Sequence, residues 1–133
     1  MALRDVEVTI EGRAFKLKAL LDSGSSFTIM GVRQVEGGFG RVKAKPLVRP
    51  REAALLSGQK IVIDGYIDAQ IVIDGYLIED RVYLTKDMVK EAALEGERGA
   101  IPDLIIGAPT LETWGLKLSL KEGRVVRRGS LII

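Results

Sequence analysis

The sequence predicts a single, mostly β domain. Three observations carry that prediction. Apolar and polar residues alternate with period two over much of the chain, successive alternating stretches meet at Glu-Gly or Asp-Gly pairs, and only two short segments carry helix signals. At 133 residues the chain buries roughly two-thirds of its unfolded surface, enough for one core spanning 1–133 and not for two. Its 47% hydrophobic and 29% charged content is that of a globular protein, not a disordered one.

The elements follow in order. Val6, Val8 and Ile10 alternate with Glu7, Thr9 and Glu11, the pattern of a half-buried strand. Glu11-Gly12 breaks it, and Phe15, Leu17, Ala19 and Leu21 resume the alternation against Lys16 and Lys18, which predicts a hairpin. The second strand ends in Ala19-Leu20-Leu21, an apolar run suited to a strand covered on both faces. Residues 31–51 are less regular: Gly31, Gly37, Gly38 and Gly40 mark loops, and Pro46 and Pro50 preclude a central strand.

Regularity returns at Lys60. Ile61, Ile63, Ile67, Ala69, Ile71 and Ile73 share one face, with Asp64, Tyr66, Asp68 and Gln70 on the other. The phase survives across Gly65, so one long bent strand is expected from about 60 to 73, with a tight hairpin at Asp64-Gly65 as the alternative. Asp74-Gly75 is a better hairpin turn and leads into a strand over 76–84. Asp87 caps an expected short helix through about Leu94, stopped by Gly96. A second helix fits 109–114, with Pro109 in its first turn and Gly115 beyond its end. Leu116, Leu118 and Leu120 then alternate with Lys117 and Ser119, Lys121–Gly123 turns the chain, and Val125–Ile133 closes as a strand or pair of strands.

A half-repeat is hidden in this order. Strand, Glu11-Gly12, strand, Leu20-Leu21-Asp22-Ser23-Gly24 is echoed by strand, Asp74-Gly75, strand, Leu104-Ile105-Ile106-Gly107. Both halves bring an apolar strand to a tight Gly turn. Only the first carries the carboxylate.

Several absences narrow the chemistry. With no histidine and no cysteine, Ser-His-Asp and Cys-His nucleophiles, His-bound zinc, CxxC redox chemistry and disulfides are excluded. Proton transfer is left to Asp, Glu, Lys or Tyr. No acidic cluster has metal-ligand spacing, so neither a metal nor a cofactor is expected. Asparagine is also missing, and with abundant Lys, Arg and Glu this resembles heat-adapted composition. A net charge of +2 is too small to argue for nucleic acid. No apolar run approaches the roughly 20 residues of a membrane span, and Met1–Asp5 turns charged at once, so a cytoplasmic protein without membrane contact is expected.

Asp22-Ser23-Gly24 is where chemistry could live. Alone, the tripeptide is a common surface turn. Here it directly follows Ala19-Leu20-Leu21, and Phe27, Ile29 and Met30 come soon after. A carboxylate between two apolar segments belongs at the edge of a core, where charging it is costly and its proton affinity is tunable.

The segment Ala19-Leu20-Leu21-Asp22-Ser23-Gly24-Ser25-Ser26-Phe27-Thr28-Ile29 resembles the active-site segment of retropepsins, the retroviral-type aspartic proteases. Asp103-Leu104-Ile105-Ile106-Gly107, with a short helix after it, resembles their second signature. The likeness spans roughly residues 6–120, and the spacing between signatures exceeds that of viral members by an insertion at 85–101. It implies a closed β-barrel of the acid-protease fold, with one short helix after the second Gly motif and another in the insertion.

The resemblance also implies a function. Aspartic proteolysis needs two carboxylates sharing a proton, one ionised to activate water and one neutral to polarise the scissile carbonyl. A chain with one such Asp meets that need as a homodimer, with Asp22 from each subunit on the two-fold axis. The Ser23 hydroxyls would brace the two loops, Gly24 would let backbone approach substrate, and Ser25 would complete the active-site loop. Ile105, Ile106 and Gly107 form the second signature. Leu55-Leu56-Ser57-Gly58-Gln59 is the expected tip of a flap closing over an extended peptide or unfolded protein substrate; two leucines of an ordinary core are the plainer account. Viral members usually place an Asp two residues after the motif's Gly, paired with an Arg after the second Gly. Ser26 and Ala108 stand there instead, which suggests a cellular-type relative.

Other motifs are weaker. Gly38-Phe39-Gly40 lacks the third Gly and helix of a nucleotide loop. Arg41, Lys43, Lys45, Arg49 and Arg51 fit a solvated loop or edge strand better than a nucleic-acid or acidic-substrate contact. The sequence therefore predicts an aspartic endopeptidase. The alternatives are a catalytically silent module using the same cleft to bind peptide or dimerise and, more distantly, a small basic β-barrel binding nucleic acid.

Overall fold

The computed structural model describes residues 2–33, 36, 43–54, 60–86, 102–119, 121 and 124–127. The expected helix from Asp87, the segment 55–59, the Gly38-Phe39-Gly40 loop and residues 128–133 lie outside them.

Strands β1 (Ala2–Ile10) and β2 (Arg13–Asp22) form the expected hairpin, pairing from Ala2↔Leu21 to Ile10↔Arg13. Glu11 and Gly12 between them have φ of 52° and 77°. Asp74 and Gly75, between β5 (Lys60–Ile73) and β6 (Tyr76–Thr85), repeat this at 46° and 87°. Two positive-φ residues give the turn whose twist matches that of the strands, and glycine takes the second position without steric cost.

Six strands close a mixed barrel in the order β1-β2-β7-β3-β6-β5, sealed by β1 against β5 at Val8↔Ile71. The short strands β3 (Ile29–Gly31) and β7 (Leu104–Gly107) are buried throughout. β7 lies between β2 and β3, parallel to β2 and antiparallel to β3, and β3 runs parallel to β6. Helix α1 (Ala108–Thr113) follows at once with Pro109 in its first turn, and Gly115 beyond its end has φ 64°. Strands β8 (Leu116–Ser119) and β9 (Arg124–Arg127) pair as a separate hairpin. Its Leu116 and Val125 enter the barrel core, and the Val125 N–H donates to Asp74 Oδ2 at 2.7 Å.

Two features sharpen or correct the sequence expectation; the first decides between the solvated loop and the edge strand. The irregular stretch before residue 51 contains a strand, β4 (Lys45–Ala54). It is an exposed edge strand paired only with β5, a position that tolerates Pro46 and Pro50. Between Pro46↔Gly65 and Arg51↔Ile63 the register shifts, and residues 47–50 form a bulge in which Val48 is fully exposed.

The second concerns β5. It is one long strand as expected, but its isoleucines do not all share a face. Ile63 pairs with Thr85 while Gly65 pairs with Leu84, so Asp64 is an extra residue, a β-bulge. Thr85 and Leu84 point to opposite sides, and so therefore do Ile63 and Gly65. Ile67, Ala69, Ile71 and Ile73 fill the barrel core. Ile61 and Ile63 join Ile29 in a second cluster, against half-buried Phe27, Leu47, Ala53 and Tyr83. Among the described residues no helix is long and apolar enough to cross a membrane.

Candidate active site

Asp22 is the last residue of β2. Leu21 packs into the barrel core, so alternation turns Asp22, like Leu20, to the opposite face. Parallel pairing with β7 sets Leu20 against Ile105, Leu21 against Ile106 and Asp22 against Gly107. The two sequence signatures are thus adjacent, 85 residues apart along the chain at the Lys18 and Asp103 end of the pairing. There the register is locked reciprocally: the Lys18 N–H donates to Asp103 Oδ2 at 3.0 Å, and the Asp103 N–H donates to the Lys18 carbonyl at 2.9 Å.

The loop after Asp22 is held by its own short polar groups. The Gly24 N–H donates to Asp22 Oδ1 at 2.9 Å, and the Ser25 N–H donates to the Asp22 carbonyl at 3.1 Å. This is an Asx turn, which orients the carboxyl group by its own backbone. Asp22 is only 6% exposed, whereas Ser23 and Gly24 are exposed. Among the described residues Asp22 Oδ2 has no hydrogen-bond partner. The Ser25 hydroxyl donates to the Phe27 carbonyl at 2.8 Å, and the Ser25 carbonyl accepts the Ala108 N–H at 2.8 Å. Ser26 and Ala108 bring no charge pair; the two signatures are joined here by a backbone hydrogen bond.

Gly107 has no room for a side chain. A Cβ there would lie 2.8 Å from the Ser25 carbonyl oxygen and closer still to that of Phe27. Behind it runs a buried polar chain that the sequence reading missed. The Gly107 N–H donates to Thr28 Oγ1 at 3.1 Å, Thr28 Oγ1 lies 2.6 Å from Thr110 Oγ1, and the Thr110 hydroxyl donates to Asp80 Oδ2. Thr110 has a single hydroxyl hydrogen, which goes to the carboxylate, so Thr28 is the donor between the two threonines. Every donor points toward Asp80, whose Oδ1 accepts the Arg81 N–H at 2.8 Å. The available signal was one threonine within the apolar run Phe27–Met30: a buried hydroxyl must find partners.

Around a mixed six-strand barrel, then, an Asp-Ser-Gly turn faces an Ile-Ile-Gly strand followed by one short helix. The retroviral protease-like domain of Ddi1 from Leishmania major superposes with a TM-score of 0.57 at 22% identity, covering 96% of this chain and 88% of that one. EIAV protease, solved with the inhibitor HBY-793, gives 0.56 at 18% identity, covering 90% and 94%. The fold is retropepsin-like. No family model matches the sequence, and no curated protein matches it significantly.

In this retropepsin-like barrel Asp22, Ser23, Gly24 and Ser25 form one turn, and Ile105, Ile106 and Gly107 lie beside it. The expected flap residues Leu55, Leu56, Ser57, Gly58 and Gln59 lie outside the described residues. The arms that lead to them are described: β4 and β5 pair up to Ala54↔Lys60, so 55–59 connects the two strands of a hairpin. Ala53 and Ile61 on those arms belong to the same apolar cluster as Phe27 and Ile29, just after the Asp22 turn.

Proposed function

We propose that the protein is an aspartic endopeptidase, active as a homodimer in which the Asp22 carboxylates of two subunits meet. The observation that carries this reading is Asp22 itself: nearly buried, turned away from the barrel core, with Oδ1 held by the Gly24 N–H and Oδ2 without a partner among the described residues. A second carboxylate or a water can occupy that free side. In the pair, one carboxylate is ionised and the other protonated, because like charges held so close do not both ionise.

The ionised member takes a proton from water as the water oxygen attacks the scissile carbonyl carbon. The protonated member donates its hydrogen bond to the carbonyl oxygen, where negative charge develops. Breaking the C–N bond then releases the amine with a proton, and the pair returns to its singly protonated state. An extended peptide lies across the two Asp22 turns, with residues 55–59 closing over it as a flap.

The test is cleavage of an unfolded protein at mildly acid pH, its block by a statine-type inhibitor, and its loss in Asp22→Asn. That variant is expected to keep fold and dimer, since it removes like-charge repulsion across the axis. Full activity in Asp22→Asn would overturn the assignment. The uncharged Ser26 and Ala108 are the observation behind the second reading, a silent peptide-binding or dimerisation module. Wild-type protein that binds unfolded chains yet never cuts them would support it.

A further inference from the structure

The buried polar chain behind Gly107 ends on a carboxylate, and that end sets the direction of every hydrogen bond in it. Asp80 alternates on β6 with Ile78 and Val82, whose side chains fill the barrel core, and it stands opposite Ala69 on β5. It is half-buried. Among the described residues no lysine or arginine side chain lies within ion-pair distance of it. The neighbouring Arg81 carries its guanidinium onto the Tyr66 ring, 3.9 Å from the centroid. Asp80 is therefore answered by hydrogen-bond donors: the Arg81 N–H on Oδ1 and the Thr110 hydroxyl on Oδ2.

Both oxygens accept, and the rest of the chain follows from that. Thr110 spends its one hydrogen on Asp80 and so accepts from Thr28; Thr28 spends its own on Thr110 and so accepts the Gly107 N–H. An amide in place of the carboxylate has one oxygen for two donors. Whichever way it faces, either a donor is stranded or the threonine bonds reverse, and reversal leaves the Thr28 hydrogen without an acceptor. The far end of the chain is the site itself. Gly107 pairs with Asp22, and a Cβ on it would collide with the Ser25 and Phe27 carbonyls. The Ala108 N–H is bonded to that same Ser25 carbonyl. Gly107 thus cannot shift without shifting the turn that holds Asp22.

We infer that Asp80 is a positioning residue for the Asp22 site: through Thr110, Thr28 and Gly107 it fixes the turn that carries the reacting carboxylate. The inference rests on the proposed peptide-cleaving reading of that site. Asp80 acts on aim and not on contact with substrate. Its loss should therefore fall on kcat, which depends on how the carboxylates are oriented, and spare KM.

The experiment compares wild type, Asp80→Asn, Asp80→Glu and Thr110→Val by cleavage of an unfolded protein and by amide hydrogen exchange. Rates are taken per folded molecule, with the folded fraction read from urea denaturation, so that lost stability alone moves nothing. Asp80→Asn is expected to lower kcat about tenfold with KM within about twofold of wild type. It should also speed exchange about tenfold at Gly24, Gly107 and Ala108, whose N–H groups hold the turn, while the β1–β2 hairpin keeps its protection. Asp80→Glu, which keeps two acceptor oxygens, should recover most of both effects. Thr110→Val cuts the chain at its middle, should reproduce Asp80→Asn, and takes its place if that variant does not fold. Wild-type kcat and wild-type exchange in the folded variant would overturn the inference, as would a loss confined to KM or equal losses in Asp80→Asn and Asp80→Glu. If wild type never cuts, the proteolytic reading fails on its own. Exchange at Gly24, Gly107 and Ala108 then decides whether Asp80 holds the turn.

Discussion

Thr28 shows how much one hydroxyl can organise. It accepts the Gly107 N–H, donates to Thr110 and, through its own carbonyl, accepts the Tyr83 N–H at 2.9 Å. Thr28→Val keeps the shape but strands a buried N–H and a threonine oxygen. The expected cost is about 1–3 kcal/mol of unfolding free energy, read by urea denaturation. Thr28→Ser, which retains the hydroxyl, should recover most of it. A loss in Thr28→Ser with none in Thr28→Val would mean the methyl group, not the hydrogen bonding, matters here. At this scale the sequence was legible where chemistry and turn formation coincide. Asp22-Ser23-Gly24 announces itself because a turn, a small residue and a carboxylate follow an apolar run. Thr28, Thr110 and Asp80 did not, because their partnership exists only after three distant segments pack together.

Among the elements, the two tight hairpins were readable because Gly12 and Gly75 supply a backbone conformation that side chains resist. The bend in β5 was not. The alternation from Ile61 to Ile73 runs unbroken through Asp64, and a bulge that reverses the facing of a strand leaves no mark on parity. The structure predicts opposite outcomes for two changes at this one position. Asp64→Ala keeps the extra residue and should shift stability by no more than about 1 kcal/mol. Deleting Asp64 restores a regular ladder and turns Ile61 and Ile63 away from Ile29, forfeiting the burial of two isoleucines, roughly 3–6 kcal/mol. Chemical denaturation of both variants checks this, and comparable losses would show that the bulge does not set the facing of those side chains. The strand β4 was legible only as one of two alternatives: two prolines exclude a central strand, and with the irregular pairing they erase the alternation that would tell an edge strand from a solvated loop.

For the whole molecule, the proposed dimer would bring two like carboxylates together. Asp22→Asn removes that repulsion, so sedimentation should show the variant associating at least as tightly as wild type. Weaker association in Asp22→Asn would show that the two side chains do not repel each other across an axis. Leu116 and Val125 are spent on the subunit's own core, so they are not available to a partner.

The central place of β7 bears on how the molecule is made. Leu104 and Ile105 are hydrogen-bonded on one side to β2 and on the other to β3, both completed before residue 32. During synthesis β2 has only β1, and β3 only β6, to settle against until residues 104–107 have emerged, so the Asp22 turn lacks its Gly107 neighbour through most of translation. Pairings so distant along the chain also close slowly, since the intervening segment must be confined before any contact rewards it. A nascent or truncated chain ending before residue 104 is expected to have no assembled site. Any cleavage activity would thus appear only once residues 104–107 are free to pair.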